Sequence, residues 1–271
     1  ENAAETDDCV ARCDIYYAIA EKYANYVLDS ALVYLDKAVY VAEKAGNDTL
    51  RTKVELKLST TLTAGGFYVA SKETLESLRR NTLTKAQLIL YYGAWTTLYH
   101  ELYSSSHEPD AFQEKYRQMY TTYRDSLLAV TDPMSILHLR NLERREARVG
   151  NFAEARRYNA LRLSQIKNHK SREYATCIYD RFLIAYHYER NLTAEAVDDL
   201  LESAIIEVEN SNHDIASLLR VEAILNDISE VKDAKKVSDY YYSYLRKFGS
   251  RKRLIEGGEL AIVINEDSFR Q

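Results

Sequence analysis

The sequence predicts an all-α fold, a right-handed α-solenoid of about six stacked helix pairs with longer-than-standard repeats, and three observations carry it. Two prolines and eight glycines in 271 residues are too few to punctuate many short strands and hairpins, so long helices are the default. Apolar residues make up 46% of the chain, enough to bury a sizeable core. A small residue then recurs at intervals of 39, 41, 44, 41 and 38 residues, at Ala31, Ala70, Ala111, Ala155, Ala196 and Ala234. Self-similarity at about 40 residues marks helix pairs that cannot bury their apolar faces alone and lean on their neighbours.

Each alanine predicts a close approach just inside the second helix of its pair. In DSALVYLDKA, Asp29 is the acceptor that caps the helix carrying Ala31. Gly65 and Gly66 end one helix ahead of Ala70 in GGFYVASKETL, and Gly46, Gly150 and Gly249 follow apolar-periodic stretches in the same way. Gly93, inside LILYYGAWTTLY, reads instead as a place where two helices touch closely, and Pro109 opens PDAFQEKY with Ala111. Thr131-Asp132-Pro133 places an acceptor before a first-turn proline and starts the fourth pair. Its second helix begins in GNFAEARRYNALRL, where Asn151 and Glu154 form a capping box ahead of Ala155. Thr193 caps TAEAVDDLLESA with Ala196, and KDAKKVSDYYYSYL carries Ala234. Residues 1–10 read as an acidic, apolar-poor tail, 11–249 as the repeat domain, and 250–271 as a capping helix or a connector to a membrane segment.

Composition narrows the function classes. A net charge of −5 argues against nucleic acid, whose binders show a dominant basic face. No apolar run approaches the roughly 18 residues of a membrane helix, and an opening on Glu1 rather than Met allows a processed, exported protein. Three cysteines, an odd count, support no disulfide framework, although Cys9 and Cys13 in CVARC share a helix face and allow a local bond or half a metal site. No phosphate-binding glycine loop, HExxH, GxSxG or CxxC is present, so the chain reads as a non-enzyme with no catalytic residue, no metal and no cofactor. Six histidines are scattered over different elements, and His100-Glu101 and His107-Glu108 read as structural.

Two features point to a binding surface. Residues 138–172 hold ten Lys/Arg against three acids, a +7 segment in a chain that is otherwise −12. Within it Arg140, Arg144 and Arg148 recur at i, i+4 and i+8 and so form one stripe. Such a track suits a carboxylate or another anion through bidentate guanidinium contacts. The plainer reading pairs these arginines with Glu143, Glu146 and the stretch from 189 to 239, where thirteen acids face five bases. Twenty-three tyrosines fill inter-helix gaps for the most part, and a minority, Tyr186 among them, are candidates for the ligand-facing side.

Gly150 to Ala155, with Asn159 and Arg162 at the later small-residue places, resembles a tetratricopeptide (TPR) repeat at its helix turn, and Gly65 to Ala70 is similar. The period exceeds the usual ~34 residues and the later small places are often not alanine. Counted back from each anchor, Arg140, Arg144, Arg181 and Arg220 fall at or near places that line the inner groove of TPR proteins. YANYVLDSALVYLDKAVYVAEKAGND, LKLSTTLTAGGFYVASKETLESL and YYGAWTTLYHELY, in this order, resemble a bacterial TPR-like family, most clearly over residues 16–130. Its members join an extracytoplasmic TPR-like region to one transmembrane helix and a cytoplasmic helix-turn-helix domain. The resemblance implies the sensor portion of a membrane-anchored regulator, on the periplasmic or extracytoplasmic face of the inner membrane. It would bind a peptide, protein or other ligand, with a homodimer allowed and no nucleic acid bound by this region itself. The alternatives are a free-standing, cytoplasmic scaffold for a partner peptide and a surface protein that stacks glycans on its tyrosines.

Overall fold

The computed structural model describes residues 9–24, 27–104, 110–191 and 193–210, and the described residues are all-α with no strand. The chain divides between Thr131 and Asp132 into two compact units. The first holds α1 (Cys9–Tyr23), α2 (Leu28–Lys44), α3 (Asp48–Gly65), α4 (Tyr68–Ser77), a 3-10 turn (Arg80–Thr82), α5 (Lys85–Ser104) and α6 (Asp110–Val130). The second holds α7 (Ile136–Arg148), α8 (Phe152–Gln165), α9 (Arg172–Leu183), a π turn (Ile184–Tyr188) and α10 (Ala194–Glu209). Among the described residues, consecutive helices pack as five pairs, α1/α2, α3/α4, α5/α6, α7/α8 and α9/α10, and neighbouring pairs lean on one another through α2/α3, α3/α5 and α8/α9. Short connections make such neighbours antiparallel. Ala234, Arg220, Gly249 and the stretch 250–271 lie outside the described residues, as does most of the 1–10 segment, although α1 already starts at Cys9.

Three of the anchors do what their size requires. Ala31, Ala155 and Ala196 are buried near the starts of α2, α8 and α10. The other two depart from the expected register. Ala111 is exposed, and α6 buries Tyr120 and Leu127 instead. At α4 the close contact falls one residue later, on Ser71, with Ala70 only half-buried. Ser71 is fully buried against α3, where its hydroxyl meets Ser59 Oγ at 3.0 Å and Thr63 Oγ1 at 2.8 Å. A buried hydroxyl is tolerated because it is fully hydrogen-bonded.

The helix boundaries show which local signals won. Thr193 caps α10 as expected, its hydroxyl accepting from Ala196 N at 3.2 Å. Asp29 lies in the first turn of α2 rather than ahead of it, behind Val27, which makes no side-chain cap. Asn151 does precede α8, but its amide donates to Glu146 while Glu154 engages Arg157, so no capping box forms. Pro133 sits in a turn, held by Asp132 Oδ1 accepting from Met134 N at 2.8 Å, and α7 is capped by Ser135. α5 carries a reciprocal box between Thr84 and Gln87 that the sequence reading passed over. Gly46, Gly66 and Gly150 close helices with positive φ.

Gly93 is not a point of close approach, since a Cβ there would meet nothing within 4 Å. Gly65 is. A Cβ at Gly65 would lie 2.5 Å from Leu28 Cδ2 and 2.8 Å from the Phe67 ring, so a methyl group there forces these side chains to shift where the end of α3 passes the start of α2. Gly65→Ala is expected to cost about 1–3 kcal/mol through overpacking, read as a lower urea midpoint at unchanged slope. An unchanged midpoint would show that Leu28 swings aside without loss.

The first unit is aromatic-rich at its centre. Trp95, Tyr99 and Tyr123 stack nearly parallel, Trp95 and Tyr123 with centroids 4.9 Å apart. They join Leu56, Leu75, Leu98 and Tyr120 in one cluster between α3 and α6, which accounts for several of the tyrosines as packing groups. Burial pushes the Tyr123 phenol up to about 12. All three cysteines are free thiols, with Cys13 buried and donating to Ala38 O at 3.4 Å. Among the described residues no helix is long and apolar enough to cross a membrane.

Candidate functional site

The second unit collects its charge in one place. Ser135 and Ser171 cap α7 and α9, accepting from His138 N and Tyr174 N, and so fix where the two helices begin. From there α7 presents Arg140, Glu143, Arg144 and Ala147 at i, i+3, i+4 and i+7, one face of a helix. α8 presents Ala155, Asn159 and Arg162 along its own buried face, and α9 buries Asp180 among Cys177, Ile178 and Phe182.

These side chains meet. Asp180, almost fully buried, accepts from Arg140 Nε at 2.8 Å, from a terminal nitrogen of Arg144 at 3.0 Å, and from Arg162 at 3.0 Å. Arg162 is itself 1% exposed and also grips Glu143. Asn159 donates to Glu143 Oε1 at 3.1 Å and to the carbonyl of Cys177 at 2.9 Å. Arg162 Nε is buried with no hydrogen-bond partner among the described residues.

The electrostatics follow from burial and neighbours. Burial raises the Glu143 carboxyl to about 7 against the pull of Arg162. Asp180 is also disfavoured as an ion by burial, but Arg140, Arg144 and Arg162 outweigh that and hold its carboxyl well below the usual range. Burial raises the Cys177 thiol to about 11, which leaves it a structural thiol rather than a nucleophile. Replacing a buried ion cluster with apolar groups is often neutral, so its worth lies in fixing one arrangement of three helices.

The arginine stripe is therefore anchored rather than loose. Arg140 and Arg144 keep about a third of their surface, 32% and 38%, while their guanidinium groups are clamped by Asp180. Arg148 follows one turn on, half-buried in the last turn of α7. Arg181 is held apart from this group by Asp199, with Nε to Oδ2 at 2.6 Å and a terminal nitrogen to Oδ1 at 2.5 Å. Tyr186 stacks on Phe182, centroids 5.4 Å apart, and so belongs to the packing of the π turn. Of the charges weighed in the sequence, Glu143, Glu146 and Asp199 do pair with arginines. Asp180, the hub, was passed over. The signal that could have found it is the pair Asn159 and Arg162, polar residues at places a TPR repeat keeps small, which demand a buried acceptor.

Among the described residues no group of His, Cys, Asp and Glu is arranged to hold a metal ion. What the arrangement offers is two rigidly held arginines whose side chains are partly exposed, a residue type suited to holding an acidic or hydrogen-bonding group.

Comparison with known proteins agrees with the helical reading. The family model described as the SusR N-terminal TPR domain matches residues 1–259. A search of curated proteins gives no match. TPR-type repeats are binding folds that present extended surfaces to proteins and other ligands.

Proposed function

The chain belongs to the SusR N-terminal TPR domain family, and on that premise we propose that it is the extracytoplasmic sensor portion of a membrane-anchored transcriptional regulator. In this reading residues 11–249 form the ligand-binding repeat domain and 250–271 connect it to a membrane segment. A ligand held by the domain changes its curvature or its association, and the C-terminal connection passes the change on. The observation that supports the ligand-binding part of this reading is the Asp180 clamp. A buried carboxylate orients two arginines on α7, the first helix of its pair, whose side chains keep about a third of their surface, and a binding surface needs rigid charge of this kind. The word N-terminal in the family description supports a domain followed by further chain.

The test is made on the native, full-length protein by intact mass, membrane fractionation and protease access from outside the inner membrane. The expected result is a heavier, membrane-bound protein with this domain cleaved from outside. A soluble cytoplasmic protein ending near Gln271 would overturn the reading and leave an intracellular peptide-binding scaffold.

A further inference from the structure

A cavity of about 330 Å³ opens between α8, the end of α9 and the start of α10, within the range of small-molecule sites, roughly 300–1,000 Å³. Alanines at 160, 185 and 196 make the room, and Leu163 adds an apolar surface. The backbone around it is unusual. α9 runs into the π turn, with Glu189 N bonded to Ile184 O, and Arg190 then takes a left-handed conformation with φ 59°. Asn191 N returns to Ala185 O at 2.9 Å, which places both residues on the wall. A π turn and a left-handed non-glycine residue are each unfavourable and recur where a site needs a particular wall.

Among the described residues the lining carries both signs of charge in equal number. Arg156 and Arg181 face Glu195 and Asp199. The inner pair, Arg181 with Asp199, is bidentate and buried on the carboxylate side. The outer contacts differ: Glu195 is 74% exposed and 3.5 Å from Arg181, whereas Arg156, 52% exposed, is hydrogen-bonded to Glu189, which keeps only 17% of its side-chain surface. An exposed pair such as Arg181–Glu195 is worth little, so a ligand can exchange with it at small cost, while Arg156 would share its guanidinium between Glu189 and the ligand. A lone anion would face Glu195 and Asp199, and a lone cation would face both arginines. A group carrying both charges satisfies both walls.

We infer that this cavity is a binding site for a small zwitterion, an α-ammonium carboxylate with a short aliphatic body, as in a free amino acid or a dipeptide. The carboxylate takes Arg156 and the outer nitrogen of Arg181, the ammonium takes Glu195, and the aliphatic part lies on Leu163 and the alanines. Asn159 lines the same cavity while donating to Glu143, so one wall of the site is hydrogen-bonded to the Arg162 and Asp180 cluster. The inference rests on the reading of this domain as a ligand sensor but not on its compartment.

The full chain is titrated calorimetrically with the common amino acids and with Gly-Leu and Leu-Gly. Acetate, methylammonium and glucose serve as single-charge and neutral controls. An aliphatic amino acid or a dipeptide is expected to bind where acetate and methylammonium do not, and comparing the two tells a free amino acid from a peptide end. Ala160→Phe, which fills the cavity from an exposed position, is expected to abolish binding with the melting temperature of the free protein kept. Arg156→Gln is expected to weaken binding about tenfold through loss of a charged hydrogen bond. Binding untouched by Ala160→Phe, binding of glucose alone, or no binding of any zwitterion would each overturn the inference. The last result, with the native protein still membrane-bound and exposed outside, would leave the sensor reading standing.

Discussion

Replacing Asp180 with alanine is expected to lower stability by about 3–5 kcal/mol, the cost of breaking a buried ion cluster by removing one partner. The reason is the number of groups that depend on it. Arg140, Arg144 and Arg162 all donate to this carboxylate, and Arg162 is too deeply buried to turn to water. Its Nε has no partner among the described residues, and one terminal nitrogen donates to both Asp180 and Glu143, so the loss leaves that nitrogen with Glu143 alone. Asp180→Asn keeps the shape and removes the charge, and is expected to lose most of the same stability. Urea unfolding followed by circular dichroism reads both variants. A loss of under about 1 kcal/mol, the size of an ordinary point change, would mean that water enters and solvates the arginines.

The second large effect is a dependence on pH that Glu143→Gln removes. The Glu143 carboxyl is raised from its ordinary 4.5 to about 7 by burial, with Arg162 and Asn159 opposing and Asp180 adding to the rise. A raised carboxyl contributes stability that is fully present below its unfolded value and lost as pH climbs through the folded one. Asp180 acts with the opposite sign. Its carboxyl is depressed by three arginines, so its contribution is present above its ordinary 3.8 and lost as pH falls. The pair together favour the folded second unit most in a narrow window near pH 4–5, and stability then declines toward pH 8. At full effect the Glu143 share of that decline is about 3 kcal/mol. Unfolding free energies at pH 5 and pH 8 should therefore differ less in Glu143→Gln than in the parent protein. Equal pH slopes in the two proteins would show that Glu143 stays ionised in its bond to Arg162.

Periodicity made the helix pairs legible because a small residue is required wherever two helices nearly touch, and Ala31, Ala155 and Ala196 obey that rule. It failed at Ala111, where an alanine falls at the right interval but the helix packs through Tyr120 and Leu127 instead. Caps were less legible, since Asp29 has the right chemistry but falls inside the first turn of its helix, and Asn151 donates to Glu146 instead of capping. The arginine stripe could be seen, and its anchoring could not. Arg140 and Arg144 reach Asp180 from 40 and 36 residues away, and nothing local in CIYDRFL says that this aspartate points inward. The cavity is equally silent in the sequence, because a π turn through IAYHY has no composition of its own.

The serine at position 71 has a bearing on how interchangeable the repeats are. In an alanine-only stack any second helix could replace any other, since one methyl group looks like the next. The α3/α4 contact instead matches hydroxyl to hydroxyl through Ser59, Thr63 and Ser71. A transplanted α8 or α10 would bring an alanine to that seam and leave the donors of α3 with one fewer acceptor. The pairs share a shape without being spare parts for one another, and a shuffled order of the same segments is a different protein.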